Sequence, residues 1–170
     1  MYGLHTAGAP GGAGTLTALS AFSEGKLVDK IKSAALLTPG SWNQVFGGRM
    51  RYAGGELLRP YGFINRRGVI TKYDHGSSTA NMAAYGQSSP PEYHMSNIPH
   101  DLPLLLSYGG GDMLSDVKDV QLLLNDLSNH DADKLVAQLV KEYAHLDFVM
   151  GVNAKQVVYD GLIAFFHKHS

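Results

Sequence analysis

The segment from Asp101 to Phe148 constrains the fold of this chain more than any other. A near-continuous apolar run covers Leu102–Tyr108, as is typical of a parallel strand covered on both faces. Apolar residues at helical spacing follow over Val117–Leu127, and a second apolar run covers Leu135–Val140. Strand, helix and strand joined by short links predict a right-handed βαβ unit, so we expect an α/β fold with a parallel sheet.

Further elements are predicted on either side of this unit. A short helix over Thr15–Ser23 and a buried strand over Ile31–Leu37 precede it, and a helix over Ala154–His169 closes the chain. Residues 1–14 are rich in Gly, Ala and Pro and are expected to be irregular. Residues 40–67 show no sustained period. We therefore expect a single domain with a partial sheet of about three strands and flanking helices.

Composition excludes several classes of function. Hydrophobic residues make up 44% and charged residues 17%, a balance typical of a globular domain, and the net charge of −1 predicts neither nucleic-acid binding nor attraction to an anionic membrane. The chain has no cysteine, so no disulfide or thiolate metal site is expected. The histidines show no metal-ligand spacing, and GAPGGAGT lacks the lysine of a phosphate-binding loop, so no metal or cofactor is predicted.

The sequence contains no segment typical of membrane insertion or export. The amino-terminal residues lack a basic stretch followed by an apolar core, so no signal peptide is predicted. No run of about 18 apolar residues occurs, and no transmembrane helix is expected.

An acid and a base follow the two apolar runs of the βαβ unit. Asp112 comes after three glycines, which we expect to allow a tight turn at positive φ, and His145 lies in the next loop, EYAHLDF. The carboxyl ends of neighbouring parallel strands meet at one sheet edge, where α/β proteins bind ligands. An acid followed by a histidine is also the second half of the Ser…Asp…His order of α/β-hydrolases.

Each of these residues also has a structural interpretation. Asp112 could cap a helix that starts near Leu114, a role that Ser115 or Asp116 could equally serve. A single histidine in a loop is commonly a surface residue. Asp147, two residues after His145, is expected to have a structural role, pairing with local backbone or with neighbouring loop groups.

Four long motifs lie between Gly68 and His169: GVITKYDHG, NMAAYGQSSPPEYHMSNIP, DLPLLLSYGGGDMLSDVKDV and KEYAHLDFVMGVNAKQVVYDGLIAFF. They resemble the carboxyl-terminal part of the eukaryotic acid lipase family, the gastric, lysosomal and plant triacylglycerol lipases. The resemblance implies an α/β-hydrolase fold and hydrolysis of neutral lipids or other fatty-acid esters. It also implies that Asp112 is the acid and His145 the base of a catalytic triad.

The nucleophile of this family lies in the motif G-H-S-x-G-T, at a sharp turn between a strand and a helix. The stretch GTLTALSAFSEGKLVDKIKSAALL resembles the family from the end of that motif onward. In this register Gly14 and Thr15 match the closing G-T, Gly12 occupies the serine position and Gly11 the histidine position. The nucleophile is therefore absent from its expected place.

No other serine is a good replacement. Ser20 and Ser23 lie within or at the end of a predicted helix, and Ser107 lies in the strand–loop segment that supplies Asp112. The family's large cap is replaced by the unrelated-looking residues 40–67, and the earlier strands and the loop that completes the oxyanion hole are not found. The resemblance therefore implies a truncated enzyme that is inactive alone.

Two alternatives differ in class from an ester hydrolase. The chain could be a non-catalytic fragment that binds lipid or associates with a partner through an exposed sheet edge. It could also be the product of alternative splicing, of a pseudogene or of an incorrect gene assembly, without an independent function. Members of the family are commonly secretory, lysosomal or vacuolar.

Overall fold

The computed structural model describes residues 2–6, 13–39, 70–113 and 115–170, with the backbone alone for residues 2–6 and Ala13. The described residues fall into two compact units. The first takes in the described residues before residue 41 and all those from Met95 onward, and the second takes in residues 70–94. Gly11, Gly12 and residues 40–67 lie outside the described residues, and the single domain remains a prediction.

A parallel sheet forms the centre of the first unit. Within the described part of the chain it has four strands: β1 (Tyr2–Thr6), β2 (Ile31–Leu37), β3 (Leu104–Gly109) and β4 (Leu135–Val140). They lie side by side in chain order, each parallel to the next. The carboxyl ends of all four strands consequently share one edge of the sheet. The predicted partial α/β fold is confirmed.

Strand β1 corrects the expectation that residues 1–14 are irregular throughout. It also corrects the expectation that no strand precedes position 12, and it makes the described sheet four-stranded where about three strands were expected. Leu4, His5 and Thr6 pair with Ala34, Ala35 and Leu36 of β2. Pairing of this kind satisfies backbone N–H and C=O groups along the edge of β2, and it depends little on side chains. The Gly/Ala/Pro-rich composition from which the irregular start was predicted belongs to the residues after this strand.

The helices are α1 (Ala13–Ser23), α2 (Ser78–Tyr85), α3 (Val117–Asp126), α4 (Asp147–Met150) and α5 (Asp160–Lys168). All except α2 belong to the first unit. A 3₁₀ turn covers Met95–Asn97, and a π-helical turn over Lys155–Tyr159 leads into α5. Asp116 caps α3, because its side chain accepts a hydrogen bond of 2.8 Å from the Lys118 amide.

The core of the first unit lies against the two central strands. Leu104, Leu105 and Leu106 of β3 are buried, as predicted for a strand covered on both faces. The chain from the π-helical turn into α5 covers one face with the buried side chains Val158, Leu162 and Phe165. Strand β4 ends the described sheet, and two of its side chains, Val136 and Leu139, are correspondingly exposed at 39% and 41%.

The second unit is organised around Asn81, a buried residue of α2. Its side-chain nitrogen Nδ2 donates to Asp74 Oδ1 at 3.0 Å, and its Oδ1 accepts from the backbone amide of His75 at 3.0 Å. The hydrogen bond from Asn81 holds the pKa of Asp74 below its usual value. An isolated antiparallel bridge joins Thr71 to Glu92 in the same unit.

The loops after β3 and β4 approach each other through their backbones. A Cβ atom at Gly109 would overlap the carbonyl oxygen of Tyr143, and one at Gly110 would overlap that of Lys141. The positive-φ glycines of the described chain lie elsewhere, so the expected positive-φ turn at Gly109–Gly111 is wrong. Glycine is required here because another backbone lies where a side chain would begin.

We expect Gly109→Ala to destabilise the protein by about 1–3 kcal/mol, because the two loops must move apart to make room for the methyl group. Gly161→Ala is the matched control. Gly161 lies in α5 with nothing within 4 Å of a Cβ, so the same substitution should stabilise the helix by about 0.5–1 kcal/mol. Urea unfolding of the two variants measures both effects. Equal unfolding free energies would contradict the close approach.

His169, just after α5, is a titratable group that packs against apolar surface. Its ring lies 4.8 Å from that of Phe165, and its Nε2 is buried with no hydrogen-bond partner among the described residues. Burial lowers the pKa of His169 below its ordinary value of 6.5, and the charges of Lys134 and Lys168 act in the same direction against that of Asp133. The folded protein therefore favours the neutral imidazole.

His169→Gln should weaken the dependence of stability on pH in mild acid. Below pH about 6.5 the unfolded chain binds a proton that folded His169 resists, so this residue lowers stability as the pH falls through that range. The free energy of unfolding, measured in urea at pH 7.5 and pH 5, should fall less in the variant than in the wild type. His167→Gln, which replaces an exposed histidine of α5, is the control. An unchanged pH dependence in His169→Gln would contradict the assignment.

Candidate active site

Asp112 and His145 meet at the carboxyl edge of the sheet. His145 Nδ1 lies 2.9 Å from Asp112 Oδ2, and a carboxylate can only accept, so Nδ1 carries the proton of this hydrogen bond. The Asp112 side chain is fully buried and that of His145 is 12% exposed. The other carboxylate oxygen, Oδ1, accepts from the Ser115 amide at 2.9 Å. This proximity of the two side chains was expected from their positions after neighbouring parallel strands.

Asp112 makes both a structural hydrogen bond and a hydrogen bond to the candidate base. One oxygen accepts from the backbone of the turn before α3, as a structural aspartate would, and the other accepts from His145. The capping role at α3 itself belongs to Asp116. The backbone amide of Ser115 is thus part of the site. This role could not be predicted from the sequence, because every residue except proline carries a backbone N–H.

The loop that carries His145 is held at several points. The Gly111 amide donates to the carbonyl oxygen of Tyr143 at 3.0 Å, which joins this loop to the one that carries Asp112. Asp147 Oδ2 accepts from the Ala144 amide at 2.7 Å, the local backbone pairing that was expected for Asp147. The Tyr143 hydroxyl donates to Asn153 Oδ1 at 2.8 Å, and its ring packs edge-on against Phe148. The chain is therefore held both before His145, at Tyr143 and Ala144, and after it, at Asp147 and Phe148.

This arrangement suits acid–base chemistry. With its Nδ1–H donated to Asp112, the neutral imidazole presents Nε2 as the nitrogen that can take a proton. The buried carboxylate fixes the tautomer and would stabilise the imidazolium that forms. The His145 side chain is buried less completely than that of Asp112.

Two of the three serines considered as substitutes for a nucleophile, Ser107 and Ser23, donate hydrogen bonds to other groups. Ser107 is fully buried, and its Oγ donates to Gln138 Oε1 at 2.9 Å. Ser23 Oγ donates to the carbonyl oxygen of Ser20 at 2.8 Å. Gly12, the residue at the expected nucleophile position, lies outside the described residues.

A second histidine–aspartate pair lies in the loops before β3 and β4. His100 Nδ1 is 3.0 Å from Asp131 Oδ1, with side chains 69% and 43% exposed. The neighbouring His130 Nε2 donates to the carbonyl oxygen of Leu102 at 2.7 Å. Across the described ranges, no three His, Asp or Glu side chains come together as metal ligands would. In the same ranges no helix has the length and apolarity needed to cross a bilayer.

Curated proteins match the chain, although no family profile does. Over 101 residues it is 54% identical to triacylglycerol lipase 2 and 42% identical to triacylglycerol lipase 1 of Arabidopsis thaliana. It is 37% identical over 99 residues to the gastric triacylglycerol lipase of Rattus norvegicus. The chain is related to the acid lipases. The resemblance predicted from its motifs is thus confirmed.

The similarity to acid lipases is partial on both sides. The aligned residues make up 58–59% of this chain and 24% of each of these three relatives. The chain therefore spans about a quarter of the length of the lipases it matches. The roles of Asp112 and His145 as acid and base remain predictions, now with a geometry that suits them.

His145→Ala should destabilise the protein by about 1–3 kcal/mol, because it removes a hydrogen-bond donor from a fully buried carboxylate. His100→Ala is the matched control, since it breaks a histidine–aspartate pair of similar length that is exposed to solvent and should cost about 0–1 kcal/mol. Chemical denaturation at pH 7 compares them. A larger loss in His100→Ala would contradict the buried character of the first pair.

Proposed function

We propose that this chain carries the acid and base of an acid-lipase-type carboxylic ester hydrolase. The observation that supports the proposal is the buried hydrogen bond of 2.9 Å between Asp112 and His145, at the sheet edge where α/β enzymes bind substrates. The names of the curated relatives supply the substrate class, because they are triacylglycerol lipases. We therefore take a neutral fatty-acid ester as the substrate of the complete site.

In the complete reaction, His145 Nε2 would take the proton of a serine hydroxyl as its oxygen attacks the ester carbonyl. Asp112 would stabilise the resulting imidazolium. The imidazolium would then give its proton to the departing alcohol, which leaves an acyl-enzyme. A water molecule would release the fatty acid in a second cycle through the same histidine.

In this chain, glycine at position 12 excludes an acyl-enzyme at the expected position. Without that serine, His145 could act only on water, with loss of the covalent route. We therefore propose that the chain alone has negligible ester hydrolase activity.

A non-catalytic association role is the second candidate. Strand β4 ends the described sheet, and its Val136 and Leu139 side chains are more than a third exposed. An apolar edge of this kind can accept another strand or another chain. Such a role would leave binding unchanged in His145→Ala, whereas any hydrolysis would be lost.

The wild-type chain should hydrolyse p-nitrophenyl butyrate no faster than its His145→Ala variant. Gly12→Ser should introduce a serine that reacts covalently with a fluorophosphonate probe, and Gly12→Ser/His145→Ala should not react, because the hydroxyl then has no base. Mass spectrometry of the labelled peptide measures the reaction. Gly161→Ser, with a new serine on open surface, is the control and should stay unlabelled.

Two results would contradict the proposal. Steady turnover by the wild type that disappears in His145→Ala would reveal a nucleophile elsewhere in the chain. A folded Gly12→Ser variant that does not react with the probe would contradict the register that places Gly12 at the serine position.

A further inference from the structure

Helix α4, which begins two residues after His145, depends on one buried residue for its position. It is four residues long, and no side chain caps its amino-terminal end. Its outward side carries Val149 and Met150, which are 63% and 74% exposed, whereas Phe148 is 1% exposed. So short a helix does not persist without tertiary contacts. The contacts of Phe148 therefore decide where α4 lies.

Phe148 is held through both its ring and its backbone. The ring packs edge-on against that of Tyr143, with the ring centroids 5.2 Å apart. Its carbonyl oxygen accepts a hydrogen bond of 2.6 Å from the Tyr159 hydroxyl. The last four carbonyl groups of a helix lack a donor within the helix, and here a side chain from another element supplies one. Tyr159 thus holds the backbone of α4, and Tyr143 holds its buried side chain.

Tyr159 ends the π-helical turn Lys155–Tyr159, and this turn is fixed to the sheet. Gln138 of β4 donates from Nε2 to the Val157 carbonyl oxygen at 2.8 Å. Its Oε1 accepts from Ser107 of β3, which is fully buried and is the partner of Gln138 in the register of the two strands. Turns of this kind are rare and are frequently found at functional sites. The Tyr159 hydroxyl is therefore presented to α4 from a turn that is tied to β3 and β4.

The hydrogen bond from Tyr159 differs from the one made by Asp147. The Asp147 carboxylate accepts from the Ala144 amide, so both partners belong to the loop that carries His145. That bond keeps the shape of the loop but does not fix its place. Before His145, the Tyr143 carbonyl oxygen joins the loop to the one after β3. After His145, the Tyr159 hydroxyl supplies the corresponding attachment to a different part of the fold.

We propose that Tyr159 is a positioning residue for the candidate base. Its hydroxyl fixes α4 at Phe148, three residues after His145, and α4 in turn holds the imidazole at hydrogen-bond distance from Asp112. Tyr159 acts through the backbone of Phe148 and not on the substrate. This inference rests on the proposed function, because that function gives His145 the role of base.

The rate at which the Nδ1 proton of His145 exchanges with solvent, measured by NMR, tests the positioning. This proton should exchange slowly in the wild type, because it is donated to a fully buried carboxylate. Tyr159→Phe keeps the ring and removes the hydroxyl. It should speed the exchange about three- to tenfold, the effect expected from the loss of one neutral hydrogen bond. The backbone amide of Leu106, in the centre of β3, should exchange as in the wild type.

Tyr85→Phe is the matched control. The Tyr85 hydroxyl also donates to a backbone carbonyl oxygen, that of Tyr73 at 2.9 Å, but it belongs to the second unit. This variant should leave the exchange at His145 unchanged. If Tyr159→Phe does not fold, Gln138→Leu replaces it, because loss of the bond to Val157 releases the turn that carries Tyr159.

Two results of the exchange measurement would overturn the proposal. Exchange of the Nδ1 proton at the wild-type rate in the folded variant would show that the hydroxyl does not position the imidazole. Equal acceleration at His145 and at the Leu106 amide would assign the hydroxyl to the stability of the whole unit instead.

Labelling with the fluorophosphonate probe separates this proposal from the proposed function. In the Gly12→Ser chain, Tyr159→Phe should slow labelling about three- to tenfold, because the base is less often in place. Labelling at an unchanged rate would overturn the positioning role and leave the proposed function standing. If Gly12→Ser is not labelled, the proposed function fails, and the Nδ1 exchange still decides whether Tyr159 holds the imidazole. A wild type without a slowly exchanging Nδ1 proton would overturn both.

Discussion

The acid–base site depends on a contact between two backbones. The loops after β3 and β4 touch where Gly109 and Gly110 leave no Cβ, and the Gly111 amide donates to the Tyr143 carbonyl oxygen. This approach brings the chain after one strand to within a hydrogen bond of the chain after the next. Without it the fully buried carboxylate of Asp112 would lose the imidazole as a donor, and burial of a charge is costly unless hydrogen bonds compensate it.

The loop that carries the base makes further contacts beside this approach. Tyr143 contributes its carbonyl oxygen to the contact, its ring to Phe148 and its hydroxyl to Asn153. The Tyr159 hydroxyl donates to the carbonyl oxygen of Phe148 at 2.6 Å and so ties α4 to the turn before α5. The histidine loop is therefore part of the packed interior of the first unit, although its outer surface is apolar and exposed.

Much of this arrangement could be predicted from the sequence because it follows from strong periodic signals. The bounds of β2 and β4 match the predicted runs, and the acid and base meet because parallel strands end at one edge. Strand β1 was not predicted because it is held by backbone pairing with β2, which the amino-acid composition of the segment does not reveal. The glycines before Asp112 were expected to allow positive φ angles, but glycine is needed there because another backbone lies close by. Such a contact depends on the tertiary structure and cannot be predicted from φ preferences. The outward face of α4 was not predicted either, because four residues are too few for a periodic pattern.

The separation of acid and base along the chain has a consequence for folding. They are 33 residues apart and joined by one crossover through α3, so the entropy lost in closing this segment is modest and grows only slowly with its length. The contacts described for the pair come from the loops after β3 and β4 and the turn before α3, and none of them involves the amino-terminal strand. A site assembled from such local contacts tolerates change elsewhere. The hydrogen-bonded pair is thus compatible with glycine at position 12, the position that the resemblance assigns to the nucleophile.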